Sequence, residues 1–270
     1  MLLSQAELDA YQADGYLHVR GLLNPEETAL LLEISVQNAL ASRAREAVDA
    51  KGQGAKIKLW NHVEDDMFGA IATSRRIVQR STELVGEEVY HWHSKMMLKD
   101  PGTGAWEWHQ DYGYWYGACL YPSLVSCFIA VHPATKANGC LQVLKGSHRA
   151  GRINHDVVNG QQGADPARVV ELSKRHERVY VELEPGSALF FHPNLLHSSD
   201  SNKSKNPRWA LICCYNARSN SRFDGRTDAG HPPYSPIQVV DDSAILASGK
   251  RELLALKNSA RQVPDDAKEN

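Results

Sequence analysis

A histidine and an aspartate two residues apart, His109 and Asp111, sit inside an aromatic run, WEWHQDYGYWYG at residues 106–117. In an extended chain, residues i and i+2 project from one face, so imidazole nitrogen and carboxylate oxygen converge. Those two ligands plus one further histidine make the facial 2-His-1-carboxylate set. It fills three positions of an octahedron and leaves the others open, which suits Fe(II) that must bind a cosubstrate and O2. An isolated H-x-D is also an ordinary surface pair, so a second histidine has to be found. Residues 185–217, PGSALFFHPNLLHSSDSNKSKNPRWALICCYNA, offer His192 and His197. The same segment places Arg208 in an otherwise apolar run. A guanidinium pointing inward there needs a partner, and its planar fork fits a carboxylate with two parallel bonds.

These groups have to be carried by strands. EVYHWHSKMMLK (88–99), LVSCFIAVH (124–132), CLQVL (140–144), RVYVELE (178–184), SALFFH (187–192) and RWALICCYNA (208–217) all read as strands, separated by Gly, Pro and Asn turn signals. Before them lies helical sequence. Ser4 with Glu7 forms a capping box for a helix that stops near Asp14-Gly15, and YLHVRG then alternates like a short strand. Asn24, Pro25 and two glutamates open a long helix predicted through about residue 48, and a further helix is predicted around 65–86. Helices followed by six or more short strands predict a sheet sandwich or barrel flanked by N-terminal helices. Residues 1–270 read as one domain: a helical part over about 1–86, a β core over about 87–217, and a C-terminal loop and tail over 218–270. Residues 149–177 and 217–240 lack strand character and are expected to be lids or surface insertions. The end, PDDAKEN, reads as frayed.

Thirty basic and 32 acidic residues leave a net charge of −2, with no basic stripe. That argues against nucleic acid or a membrane surface as partner. No apolar stretch approaches the roughly 18 residues of a membrane span. The start lacks the charged and apolar regions of a secretory signal. Five cysteines without a CxxC pair are expected to be buried thiols of a cytoplasmic protein.

The linked motifs carry a family resemblance. Trp108-His109-Gln110-Asp111, residues 138–148 (NGCLQVLKGSH), Pro185-Gly186, residues 190–193 (FFHP), His197-Ser198-Ser199, Asn202 and Arg208 occur in the order and spacing of the phytanoyl-CoA dioxygenase family of Fe(II)/2-oxoglutarate oxygenases. The chain resembles that family from about residue 7 to 217. The resemblance implies a double-stranded β-helix (jelly roll, cupin-like), an α+β and mainly β fold. It implies His109, Asp111 and His197 as metal and catalytic residues, with His192 ending a buried strand. It implies Arg208 on the far carboxylate of 2-oxoglutarate, with Ser199 adding a hydroxyl bond or else capping backbone. Family positions matching Lys58, Lys95 and Phe128 line the cosubstrate pocket, although Lys58 also reads as a solvated surface lysine and Phe128 as core. His148 would orient a ligand or simply close a turn. The implied cofactors are Fe(II), 2-oxoglutarate as cosubstrate and O2. A carboxylate at 111, where halogenating relatives carry Ala or Gly, implies hydroxylation with release of succinate and CO2.

The family name does not define a substrate. Tyr and Trp faces in residues 112–116 suit a cationic amine, or else pack under a lid. Lys145, Arg149 and Arg152 suit a carboxylate or phosphonate. Together these point to a small polar or zwitterionic metabolite, such as an amine, aminophosphonate or amino-acid derivative. An acyl-CoA or other lipid-like substrate is the alternative. Readings from other classes are a non-catalytic metal-binding cupin-like protein and a zinc hydrolase using His2Asp. A plain metal binder has no need of Arg208.

Overall fold

Two capped helices open the chain. In α1 (Gln5–Asp14) the Glu7 N–H donates to Ser4 Oγ at 3.3 Å and the Ser4 N–H to Glu7 Oε2 at 2.8 Å, the reciprocal box read from the sequence. In α2 (Pro25–Gln37) Asn24 and Glu27 repeat the arrangement, at 2.9 and 2.8 Å. The computed structural model describes residues 1–37, 45–48, 54–223 and 231–261. The tail expected to fray, 264–270, and part of the second predicted lid, 224–230, lie outside the described residues.

The chain continues through β1 (Tyr16–Val19), β2 (Arg45–Val48), β3 (Gly54–Trp60), α3 (Met67–Thr73) and α4 (Arg75–Val85). The β core then runs through β4 (Val89–Lys99), β5 (Trp106–His109), α5 (Asp111–Trp115), β6 (Leu124–Ala130) and β7 (Leu141–Leu144). It goes on through β8 (His155–Val158), β9 (Gln161–Ala164), α6 (Pro166–Ser173), β10 (Arg178–Val181), β11 (Ala188–Phe191), β12 (His197–Ser199) and β13 (Arg208–Ala217). A last helix, α7 (Ala244–Arg261), follows.

Seven strands pair antiparallel in the order β1-β11-β6-β13-β4-β3-β2, and four in the order β10-β7-β12-β5. The two sheets face each other as a jelly roll, so the fold is α+β and mainly β. Alternation along β13 shows both faces of the larger sheet at work. Leu211, Cys213 and Tyr215 join the core under α2, α3 and α4, whereas Ala210, Ile212 and Cys214 face the smaller sheet. One strand therefore closes two cores, and burial on both faces explains its near-continuous apolar sequence.

Five expectations are corrected. The long helix predicted through residue 48 is described only to Gln37, and Arg45–Val48 is a strand. The N-terminal part holds more strand than the one read at YLHVRG, which is β1, because β2 and β3 also extend the larger sheet. The helix predicted over 65–86 is two helices, broken where Ser74 turns extended (φ −61°, ψ 142°). Residues 149–177 are not an irregular lid: they contain the β8–β9 hairpin and α6. The predicted C-terminal tail also contains α7. Its Ile245 is fully buried and its Gly249 approaches Leu30 and Met67 so closely that a Cβ would lie 2.5 Å from Leu30. Glu252 on α7 accepts the Met67 N–H at 3.0 Å, satisfying a free donor at the start of α3.

Candidate metal centre

His109 ends β5, and His197 begins β12 directly opposite it in the antiparallel pair. Their ring centroids lie 4.0 Å apart. The chain leaves the strand at Gln110, and Asp111 is the first residue of α5. Strand alternation alone therefore does not bring His109 and Asp111 together, as the sequence suggested; a strand end followed by a helical turn does. The ligand atoms of His109, Asp111 and His197 all lie within 4.8 Å of one another, and all three residues are buried.

The hydrogen bonds orient these atoms. His109 Nδ1 lies 2.7 Å from the Glu107 carbonyl and His197 Nδ1 lies 2.9 Å from the Leu195 carbonyl. A carbonyl can only accept, so each neutral ring carries its proton on Nδ1 and presents the Nε2 lone pair. Ser126 Oγ donates to Asp111 Oδ2 at 2.7 Å, leaving buried Oδ1 with no hydrogen-bond partner. The nearest cation to Oδ1 is Lys95 Nζ at 3.7 Å. Two bare imidazole nitrogens and an orphaned carboxylate oxygen facing one point are what a divalent ion would satisfy.

Electrostatics agree. Burial holds both His109 and His197 below the usual histidine range, so they stay neutral. Burial acts to raise the Asp111 carboxyl, but the Lys95 ammonium, helped by the Ser126 hydrogen bond, outweighs it and holds it below the usual carboxylate range. Burial likewise opposes the charge on Lys95, and Asp111 more than offsets that. All three ligand groups are thus in the protonation state a metal requires.

Gln110, fully buried between the two residues, holds the turn. Its amide donates to the Gly151 and Asn194 carbonyls at 2.8 and 2.7 Å and accepts from the Ile153 N–H at 2.7 Å. Its own N–H donates to His155 Nε2 at 2.9 Å. No periodicity in the sequence marks this clamp, because its partners come from two distant segments, residues 151–155 and Asn194.

A cavity of about 970 Å³ opens beside the three ligands. Arg208 lies at its deep end, 2 % exposed, opposite Lys99 in the β13–β4 register. Its guanidinium stands over the Phe128 ring at 5.7 Å, and its Nε has no hydrogen-bond partner. Burial pulls its pKa down to about 10. Lys99, which the sequence reading passed over, is buried too and donates to Ser199 Oγ at 2.9 Å and to the Asp200 carbonyl. It was legible as the last of the i, i+2 series His93, Lys95, Met97, Lys99. Ser199, Lys95 and Phe128 all line the cavity. Lys58 borders it as well, but pairs with Met96 in the β3–β4 register. Its side chain therefore shares the helix-side face, opposite Lys95.

Other expected residues lie elsewhere. His192 accepts the Asn194 N–H at 3.0 Å and stacks loosely on His148, whose Nε2 bonds the Gln12 carbonyl at 3.1 Å. Both are structural and neither reaches the centre. Lys145 pairs with Asp14 at 3.1 Å, and the Arg152 guanidinium covers the Tyr116 ring at 3.8 Å. Neither these nor Arg149 lines the cavity. Of the aromatic run, Trp106, Tyr114 and Trp115 line the cavity. Tyr112 is spent on the Leu120 carbonyl at 2.7 Å, and Trp108 packs away from the site under Arg178. His231, from the segment after β13, also lines the cavity. Its contacts lie about 140 residues away in sequence, so nothing local announced it.

The phytanoyl-CoA dioxygenase (PhyH) family model matches residues 11–210. An ectoine dioxygenase of Bordetella parapertussis is 29% identical over 238 residues, 81% of this chain and 77% of that protein. The L-proline trans-4-hydroxylase of Streptomyces griseoviridis is 27% identical over 268 residues, 90% and 96% of the two chains. Among solved structures, S. alaskensis EctD with 2-oxoglutarate and 5-hydroxyectoine superposes with a TM-score of 0.73 at 23% identity, covering 89% of this chain and 88% of that one. The match runs from within α1 to the start of β13 and includes His109, Asp111, His197 and Arg208, and the chain therefore belongs to the phytanoyl-CoA dioxygenase family.

Proposed function

We propose that the protein is an Fe(II)- and 2-oxoglutarate-dependent dioxygenase that hydroxylates a C–H bond of a small polar or zwitterionic metabolite, releasing succinate and CO2. One observation carries the reading: three unsatisfied ligand atoms converge in a cavity whose deep end holds a buried arginine without an anion. A metal binder or a zinc hydrolase accounts for the first feature and leaves the second unexplained.

When bound, Fe(II) and 2-oxoglutarate supply the activation of O2 and the electrons for it. The chain supplies the rest. His109, Asp111 and His197 would hold the ion. Arg208 would pair with a carboxylate of the cosubstrate, with Ser199, whose hydroxyl is oriented by Lys99, also lining the cavity. Trp106, Tyr114, Trp115 and Phe128 keep bulk water from the reacting centre. The substrate assignment draws on the relatives' names, ectoine and L-proline, both small zwitterions. No helix among the described residues is long and apolar enough to cross a membrane. Five free, buried thiols favour the cytoplasm as the site of action.

The test is anaerobic addition of Fe(II) and 2-oxoglutarate. A weak visible charge-transfer band is expected from the wild type and none from His197→Ala. A band that survives in His197→Ala removes that histidine from the centre. A succinate-release screen over amino acids, amines, aminophosphonates and acyl-CoA thioesters then ranks substrate classes.

A further inference from the structure

Strand β4 carries a bulge. His93 pairs with Cys214 and His91 with Tyr215, so Trp92 is the extra residue. The bulge shifts the phase of the strand. Met97, Lys95 and His93 line the cavity, and Trp92, the neighbour of His93, is fully buried in the core cluster on the same side of the sheet. His231 docks on both bulge residues. Its ring lies flat on Trp92, centroids 4.3 Å apart and planes 8° apart, and its Nδ1 lies 3.4 Å from His93 Nδ1. The edge of Trp115 meets the His93 ring at 5.5 Å. Two segments far apart in sequence thus build one wall of the cavity, next to Lys95 and Asp111.

That wall has unspent hydrogen-bonding capacity. His93 is 2 % exposed and its Nε2 has no partner. In a hydrogen bond between two Nδ1 atoms one ring donates and the other accepts. The accepting ring must then carry its proton on Nε2, so the pair offers at least one outward N–H.

Charge gives the wall a sign. Among the described residues lining the cavity, Asp111 is the one carboxylate, and it faces the ligand cluster. A divalent ion, Asp111 and the 2-oxoglutarate dianion together leave one negative charge, which Arg208 cancels. Lys95 is then a surplus cation in a buried site, beside His93 and His231. A substrate ammonium finds no carboxylate there, only the faces of Trp115 and Tyr114.

We infer that the substrate enters with an oxyanion, a carboxylate or a phosphonate, and that Lys95, His93 and His231 form the subsite that holds it. This rests on the dioxygenase reading and narrows it. Any positive group of the substrate lies against the aromatic side of the cavity. His231 is the specificity residue that the segment after β13 contributes.

Binding is measured by calorimetry and by tryptophan fluorescence on the anaerobic Fe(II)·2-oxoglutarate complex, once its charge-transfer band has formed. The ligands are matched pairs with and without the anion: L-proline and pyrrolidine, glycine betaine and tetramethylammonium, 3-aminopropylphosphonate and propylamine. In at least one pair the anionic member is expected to bind about tenfold tighter or better, the scale of a charge-assisted hydrogen bond. His231→Phe keeps the stack on Trp92 but has no N–H. It is expected to weaken that ligand about tenfold and to leave the charge-transfer band intact. The inference is overturned if the anion-free members bind equally well, if no anionic member binds, or if His231→Phe binds the anion like the wild type. A missing band, by contrast, overturns the dioxygenase reading itself.

Discussion

Ser126 Oγ on β6 lies 2.7 Å from Asp111 Oδ2, and this bond decides which carboxylate oxygen is left for a metal. Ser126 is itself backed by Cys214 Sγ at 3.4 Å, so the ligand is oriented by a chain that starts in the core of the larger sheet. Ser126→Ala is expected to lower metal affinity about tenfold or more, the usual effect of losing a group that orients a ligand. Metal titration monitored by calorimetry checks this, and unchanged affinity would sink it. The metal-free fold should lose about 1–3 kcal/mol as well, because Asp111 Oδ2 is left buried without its donor.

Arg208 is expected to be irreplaceable by lysine. Its fork stands over Phe128 in a fully enclosed site. A lysine offers one point charge and no planar pair of donors. Arg208→Lys should raise the 2-oxoglutarate concentration at half-saturation by at least about tenfold, and Arg208→Ala by more, because removing one member of a buried charge pair costs on the order of 2–5 kcal/mol. Metal affinity without cosubstrate should not move. A parallel loss of metal binding would show that Arg208 supports the fold and not the cosubstrate.

Gln110 makes three amide hydrogen bonds to two segments. Gln110→Leu is expected to destabilise the protein by at least about 2 kcal/mol, since it leaves two carbonyls and an N–H unsatisfied. It should also loosen the turn between His109 and Asp111. Urea denaturation measures the first effect and metal titration the second. A variant as stable as the wild type would remove the clamp from the account.

The stability of the metal-free protein should fall as pH drops below neutral. Burial pushes His91 and His192 down to about 4 from the ordinary 6.5. In the unfolded chain each takes a proton near 6.5, while in the fold each resists until about 4. Between those values the unfolded state binds more protons, so stability decreases as pH falls, by up to about 1.4 kcal/mol per pH unit for each histidine. Above 6.5 these groups contribute no slope. Denaturation midpoints measured in chelator from pH 7.5 to 5 check the sign, and a midpoint that rises towards pH 5 contradicts it.

The sequence by itself marked the residue types able to carry the chemistry and the strands that hold them. His109, Asp111 and Arg208 stood out by type and setting, the family resemblance chose His197 over His192, and strand periodicity and helix caps are local properties of the chain. The capping box at Ser4 and the N-cap at Asn24 were legible for the same reason. Other features arise only when segments far apart in sequence meet. Asp111 reaches the centre through a helical turn held by Gln110. Lys58 falls on the helix side of its strand by register, Lys145 is taken by Asp14, and a bulge puts Trp92 on the same side of β4 as His93, where His231 docks on both. Strand register, bulges and long-range pairing are decided by which faces can be buried together, and that balance exists only in the folded chain.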